Sequence, residues 1–199
     1  MAEIDERGLL VSPRVRPAIA PTIERGRMTK VRGIIVHQTG SSSAASTLAS
    51  YASPTNGAHF LIDKDGTLYQ TASLLRTTWH VGKLRARCLP ELSCPPAEIT
   101  ALRQMRPTER NRHEMKKQVP ERYPSNEDSI GIELVGQAFP LNEPDPDKRR
   151  YEDVPAAQNE ALAWLVATLR RLLGVPLSEV FRHPVVSQKN LSEAAGARW

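Results

Sequence analysis

No apolar run in this chain of 199 residues comes near the ~18 residues that a membrane span requires. Aromatic residues are also scarce, at 5%, which leaves few platforms on which nucleic-acid bases could stack. No RNP, KH or zinc-finger spacing is present, so neither nucleic acid nor a membrane span is expected. The N-terminus, "MAEIDERGLLVSPRVRP", places acidic residues before any basic one and has no apolar h-region. It does not read as a Sec signal peptide, so action outside the cytosol would need another route of export or release. Cysteine is limited to Cys88 and Cys94, whose spacing fits no usual zinc knuckle. The pair closes a small disulfide loop in an oxidising compartment or stays reduced in the cytosol, and the prolines tightening "RCLPELSCPP" favour the disulfide.

What is present is an ordinary globular composition, 40% apolar and 25% charged, long enough for one domain with a sizeable core. Net charge is +5 and the pI about 9.5. A basic balance suits a polyanion such as bacterial cell wall or anionic lipid, or serves solubility alone.

Residues 1–30 are rich in Pro, Arg and Glu without a period, and read as an extended arm wrapped on the domain. "VRGIIVHQTG" then reads as a buried strand over residues 33–37, with His37 at its carboxyl end. The serines of "SSSAASTLASYA" can cap a following helix. "GAHFLIDKDGTLYQTA" predicts a hairpin, with strands over 58–63 and 67–71 around a Lys64-Asp65-Gly66 turn. Residues 84–127 differ in kind: they hold both cysteines, several prolines and many charges, with a short helix expected around 97–105. So long a stretch reads as a functional lid or a mobile insertion. "SIGIELVGQ" is a second apolar strand with Glu133 embedded, and 140–154 is a Pro/Asp-rich loop. The clearest helix spans about 155–173, where Leu162, Leu165, Val166, Leu169, Leu172 and Leu173 follow the i, i+3, i+4, i+7 pattern. Gly174 and Pro176 stop it. "VFRHP" reads as a short last strand. Strands alternating with helices predict an α/β domain with a mixed central β-sheet flanked by helices.

Five histidines are available: His37, His59, His80, His113 and His183. His37 and His183 fall at predicted strand ends, where side chains can converge across a sheet. Each alone reads more readily as a hydrogen-bonded structural histidine than as a zinc ligand. A catalytic zinc needs a third protein ligand, and Glu193 is the carboxylate placed to supply it after His183. Glu133 either turns to solvent on the pleat or acts as a general base whose pKa its surroundings set. His113, within the charged insertion, reads as solvated, and Trp199 as packing at the domain edge.

Four blocks, in order, resemble the zinc-dependent N-acetylmuramoyl-L-alanine amidases of the Amidase_2 type, which share a fold with peptidoglycan recognition proteins. "GIIVHQTG" resembles the family's first strand with its metal histidine. "GAHFLIDKDGTLYQTA" with "TTWHVGK" resembles the central hairpin and Trp-His-Gly segment. "NEDSIGIELVGQ" resembles the strand bearing the catalytic glutamate, and "FRHPVVSQKNLSE" the second metal histidine and closing loop. The resemblance covers roughly residues 31–199, outside 84–127 and 138–154.

This resemblance implies Zn2+ held by His37 and His183, with Glu133 activating the metal-bound water. The family's third ligand is commonly Asp or Cys, near a Lys and followed by Pro-Gly. Here there is no Asp, Cys or Pro-Gly after His183. Aligning on Lys189 alone places Leu191, which cannot bind metal, where a Cys would be. A Lys-x-x-Ser-Glu reading keeps both Lys189 and Glu193, and we adopt it, with Lys189 stabilising the oxyanion. Ala58 stands where some members carry a catalytic Tyr. His59, Trp79 and His80 are candidate substrate contacts.

The implied reaction is hydrolysis of the amide between N-acetylmuramic acid and L-Ala of the stem peptide. The expected setting is wall lysis, as a phage lysin or as an antibacterial effector delivered to the periplasm. The expected partners are peptidoglycan and muropeptides, with residues 84–127 as a candidate lid or surface for an immunity or inhibitor protein. The catalytic domain is expected over 31–199, as a monomer. The competing reading is a non-catalytic peptidoglycan-binding recognition module, which requires an incomplete zinc site and gains if Leu191, not Glu193, faces the histidines.

Overall fold

The two apolar runs around residues 33 and 129 lie side by side at the centre of one sheet. The computed structural model describes residues 2–199. Its strands are β1 (Glu3–Ile4), β2 (Leu10–Val11), β3 (Val15–Pro17), β4 (Glu24–Arg27), β5 (Gly33–Gln38), β6 (Phe60–Ile62), β7 (Leu68–Gln70), β8 (Arg76–Thr78), β9 (Ser129–Leu134), β10 (Ala138–Phe139), β11 (Arg150–Tyr151) and β12 (Val180–Arg182). The α-helices are α1 (Ala44–Ser50), α2 (Pro96–Gln104), α3 (Pro107–Glu114), α4 (Ala156–Leu173) and the single turn α5 (His183–Val186).

Six strands form the central sheet, in the order β12-β5-β9-β6-β7-β3. β12, β5, β9 and β6 run parallel, β7 returns antiparallel to β6, and β3 pairs in parallel with β7. The mixed α/β sheet is the one the sequence predicts. The 58–71 hairpin forms with a shorter ladder, and Gln38 extends the first strand by one residue. The N-terminal residues do more than wrap: β3 is a member of the sheet, and β4 pairs with β8. The 140–154 loop is clasped at its base, where β10 meets β11.

Period-two alternation gives this sheet two buried faces. Ile34 and Val36 of β5 and Ile130, Ile132 and Leu134 of β9 point one way, against Leu162, Leu165, Val166 and Leu169 of α4. Each such fully buried side chain stabilises by roughly 1.5–3 kcal/mol. Helix α4 ends where Gly174 adopts φ 69°, the left-handed cap that a Cβ would strain. Gln158, buried in its first turn, donates its amide N–H to the carbonyls of Ile62 (2.8 Å) and Val135 (3.1 Å), tying helix to sheet.

Residues 84–127 are docked rather than loose. Arg87 is buried, with its guanidinium 2.8 Å from Glu179 and 2.7 Å from Glu91, and it lies over the rings of Tyr123 and Phe181. Cys88 and Cys94 are joined by a disulfide. α2 forms close to where it is expected. α3 follows it with almost no apolar residue, and Glu109 accepts the Arg106 backbone N–H at its start. His113 is not solvated as expected: its Nε2 lies 2.7 Å from Glu98, because α2 and α3 pack together through charge. Trp199 packs at the edge of the main core, under Arg182.

Candidate metal centre and cleft

The other face of the β5–β9 pair carries the chemistry. In register, His37 stands opposite Glu133, Ile35 opposite Gly131 and Gly33 opposite Ser129. β12 lies on the far side of β5, and its end delivers His183 as the first residue of α5. Asn190 shapes the loop that follows: its Oδ1 accepts from the Ser192 N–H and Oγ, and its Nδ2 donates to the carbonyls of Pro146 and Arg149. Gln38 then accepts the Ala194 N–H at 3.1 Å. The result swings Glu193 inward and leaves Leu191 77% exposed.

His37, His183 and Glu193 are all buried and bring their donor atoms within 4.8 Å of one another. His183 Nδ1 is 2.9 Å and His37 Nδ1 3.5 Å from the same oxygen, Glu193 Oε1. His183 Nε2 sits 2.8 Å from the Val81 carbonyl, which can only accept, so a proton stays there and Nδ1 is the nitrogen left to face Glu193 or a cation. Bare nitrogens facing a carboxylate repel unless a cation lies between them. Donors around a tetrahedral zinc stand about 3.3 Å apart, so the residues present fit that ion.

Burial, with the charge of His183 second, lowers the His37 pKa to about 4, so the imidazole is neutral at pH 7. Burial acts to raise Glu193, but the His183 and His37 imidazoles beside it outweigh burial and hold the carboxyl at about 2, so it is ionised at neutral pH. Glu133 goes the other way. Burial, then the charge of Glu193, pushes it up to about 8, while Lys189 opposes the shift. Its Oε2 is buried without a hydrogen-bond partner. A dication nearby would draw Glu133 back toward ionisation.

A cleft of about 600 Å³ opens over this group, lined on its walls by Trp79, Tyr151 and Lys189. Lys189 is solvent-exposed, and Trp79, 53% exposed, stacks on Arg25 with the guanidinium carbon 4.6 Å from the ring centroid. His80 lies at the cleft floor, with Nδ1 2.9 Å from His37 Nε2.

His59 departs from expectation. It is fully buried, with Nε2 2.9 Å from the Arg76 carbonyl and Nδ1 accepting the Gly131 N–H, so it braces β6 and lines no cleft. Ser129, Asn126 and Tyr151 are site residues that the sequence reading did not single out. Tyr151 comes from a two-residue strand inside a loop, and nothing local marks it. Burial, then the charges of Glu193 and Glu133, raise its pKa, so it stays a phenol. A second cluster, Glu98, His113 and Glu114, is already filled by Lys117, whose Nζ is 2.7 Å from both glutamates.

A family model described as N-acetylmuramoyl-L-alanine amidase, Amidase_2, matches residues 27–195. The chain belongs to the Amidase_2 family. As a member, it is an N-acetylmuramoyl-L-alanine amidase by class, acting on peptidoglycan. Among solved structures, this amidase is similar to the catalytic domain of XlyA, at 21% identity and a TM-score of 0.52, covering 88% of this chain and 87% of that one. It is also similar to AmpDh3 from Pseudomonas aeruginosa, at 19% identity and a TM-score of 0.51. There the match covers 94% of this amidase but 58% of the other chain. These likenesses are of fold. Among curated proteins, none matches the amidase significantly. Among the described residues, no helix is long and apolar enough to cross a membrane.

Proposed function

We propose that this amidase is zinc-dependent and cleaves the amide between N-acetylmuramic acid and L-Ala of the stem peptide. His37, His183 and Glu193 would hold the metal. The observation that carries this reading is the convergence of two imidazole Nδ1 atoms on one buried carboxylate oxygen, beside a second carboxyl whose Oε2 is buried without a partner. Zinc bound there would supply Lewis acidity and a water acidic enough to be deprotonated near pH 7.

The chain's own residues would do the rest. Glu133 takes the proton of the attacking water at Oε2 and returns it to the leaving amine. Lys189, on the cleft wall, places its ammonium near the negative charge that develops on the scissile carbonyl oxygen. Trp79 offers an apolar wall to sugar or peptide, and the Tyr151 hydroxyl a donor within the same cleft. The recognition-module alternative needed Leu191 in the ligand position, and the exposure of that side chain removes its support.

We further propose action on the wall outside the cytoplasm, as a lysin or a delivered antibacterial effector. The Cys88–Cys94 disulfide supports an oxidising site of action. The docked 84–127 segment offers a rigid surface for an inhibitor protein.

The test is to measure bound zinc and released stem peptide for wild type, Glu193→Ala and Glu133→Ala. Wild type should carry about one zinc and release peptides with a free L-Ala amino terminus. Full zinc occupancy in Glu193→Ala would overturn the ligand assignment. A zinc-loaded wild type that releases no such peptide would overturn the activity.

A further inference from the structure

Ser129, Gly131 and Glu133 occupy alternate positions of β9 and so share its site face. Only Glu133 has been given a task. The other two lead to His80, and a chain of hydrogen bonds fixes where every proton lies. The chain starts at a group that cannot donate, the Ser125 carbonyl. Ser129 Oγ lies 2.5 Å from it, which commits the hydroxyl proton. Oγ therefore offers only lone pairs to His80 Nε2, 3.3 Å away, so the ring proton of His80 is on Nε2. A neutral imidazole has one donor and one acceptor, so His80 Nδ1 is bare. It stands 2.9 Å from His37 Nε2, which must then be the donor. His37 is left with Nδ1 bare, aimed at Glu193.

His80 is held in place from two sides. The backbone N–H groups of His80 and Val81 both donate to Asn126 Oδ1, at 2.9 and 2.8 Å. Gly131 leaves room for the ring, since a Cβ there would come within 2.8 Å of His80 Nδ1. The next residue, Val81, accepts the Nε2 proton of His183 on its carbonyl. One dipeptide thus sets both histidines, His37 through a side chain and His183 through the backbone.

We propose that the His80–Val81 dipeptide, clamped by Asn126 and Ser129, is the positioning element that fixes His37 and His183 as Nε2–H tautomers, so that both turn Nδ1 to the cation. His80 is then a positioning residue rather than a substrate contact. This rests on the zinc reading above for its purpose, but the proton positions can be read without metal.

The experiment is long-range 1H–15N correlation of the imidazoles in the 15N-labelled, metal-free full chain at alkaline pH, together with zinc affinity by chelator competition. Wild type should show His37, His80 and His183 all protonated on Nε2. His80→Phe, which removes the acceptor, should let His37 populate the Nδ1–H form and weaken zinc binding ~10–100-fold. His80→Asn, which can restore an oxygen acceptor, should recover most of that loss. Ser129→Ala, a smaller change, should mix the His80 tautomers if His80→Phe does not fold. A wild-type His37 protonated on Nδ1 would overturn the proposal. So would His80→Phe with unchanged tautomer and zinc affinity. A wild type that binds no zinc would strike the metal assignment alone, since the metal-free spectrum still decides the tautomers.

Discussion

The two faces of the β5–β9 pair are built from the same twelve residues and are both buried, yet they serve opposite ends. Toward α4 the pair presents mainly Ile, Val and Leu, closed by Gln38, and burial there is a gain for every apolar atom. Toward the cleft it presents His37, Glu133, Ser129, two glycines and a single apolar side chain, Ile35, and burial costs free energy at each polar group unless a partner offsets it. The α4 face is filled, whereas the cleft face is arranged around a carboxylate oxygen that has no partner. Burial alone does not tell a core from a site: Gln158 Oε1 on the α4 side is also buried without a partner, and what marks the cleft is that its unpartnered atom belongs to an ionisable carboxyl beside two histidines and a second carboxylate.

The largest effect should come from the cleft face. Glu133→Gln keeps shape and removes the base, so amide hydrolysis should fall ~10²–10⁴-fold in a peptide-release assay while the protein stays folded. The same variant sharpens the contrast in stability. In the metal-free protein the folded pKa of Glu133, about 8, stands above its ordinary value of 4.5. The native state therefore holds a proton that the unfolded chain releases, and stability falls as pH rises through that window. Glu133→Gln should flatten that fall in denaturant titrations run between about pH 4.5 and 8. His37 gives the reverse slope: held at about 4 against 6.5, it costs stability as pH drops through that range. Because His37 opposes Glu133 below about pH 6.5, the readout is the difference between wild type and Glu133→Gln, and a difference that does not change with pH would contradict the burial of that carboxyl.

On the α4 face the expectation inverts. Leu165→Ala, at a fully buried position, should cost ~2–5 kcal/mol in urea unfolding and leave the rate per folded molecule nearly unchanged. The smallest effect belongs to the insertion. Replacing Cys88 and Cys94 by Ser opens a short loop and should cost on the order of 2 kcal/mol, with zinc content unaltered. Loss of zinc on that change would mean that the insertion and the cleft are less separate than their contacts indicate.

Much of the α4 face was legible because it depends on period alone. The Leu162-to-Leu173 stripe, its Gly174 stop and the Lys64-Asp65-Gly66 turn are local signals, and the structure follows them. The closing loop was legible only through resemblance, and what the structure adds is the inward turn of Glu193 with Leu191 left outside. Three features escaped. β3 has three residues and includes Pro17, too little for a strand pattern, and it is held by its neighbour β7. α3 lacks an apolar stripe because ion pairs to α2 replace one. His59 and His80 look alike in the sequence, and only the sheet register decides that the first braces β6 while the second meets His37.

The edge position of β12 bears on biosynthesis. It joins the sheet only through β5, and it brings His183 with it, ten residues ahead of Glu193. A nascent chain that has formed β5 and β9 but still keeps its last strand in the ribosome holds one of the three converging donors. The three donors can meet only after β12 has left the ribosome and paired with β5. The core of the sheet can therefore stand before the site does, and the meeting of His37, His183 and Glu193 reports that the edge strand has docked.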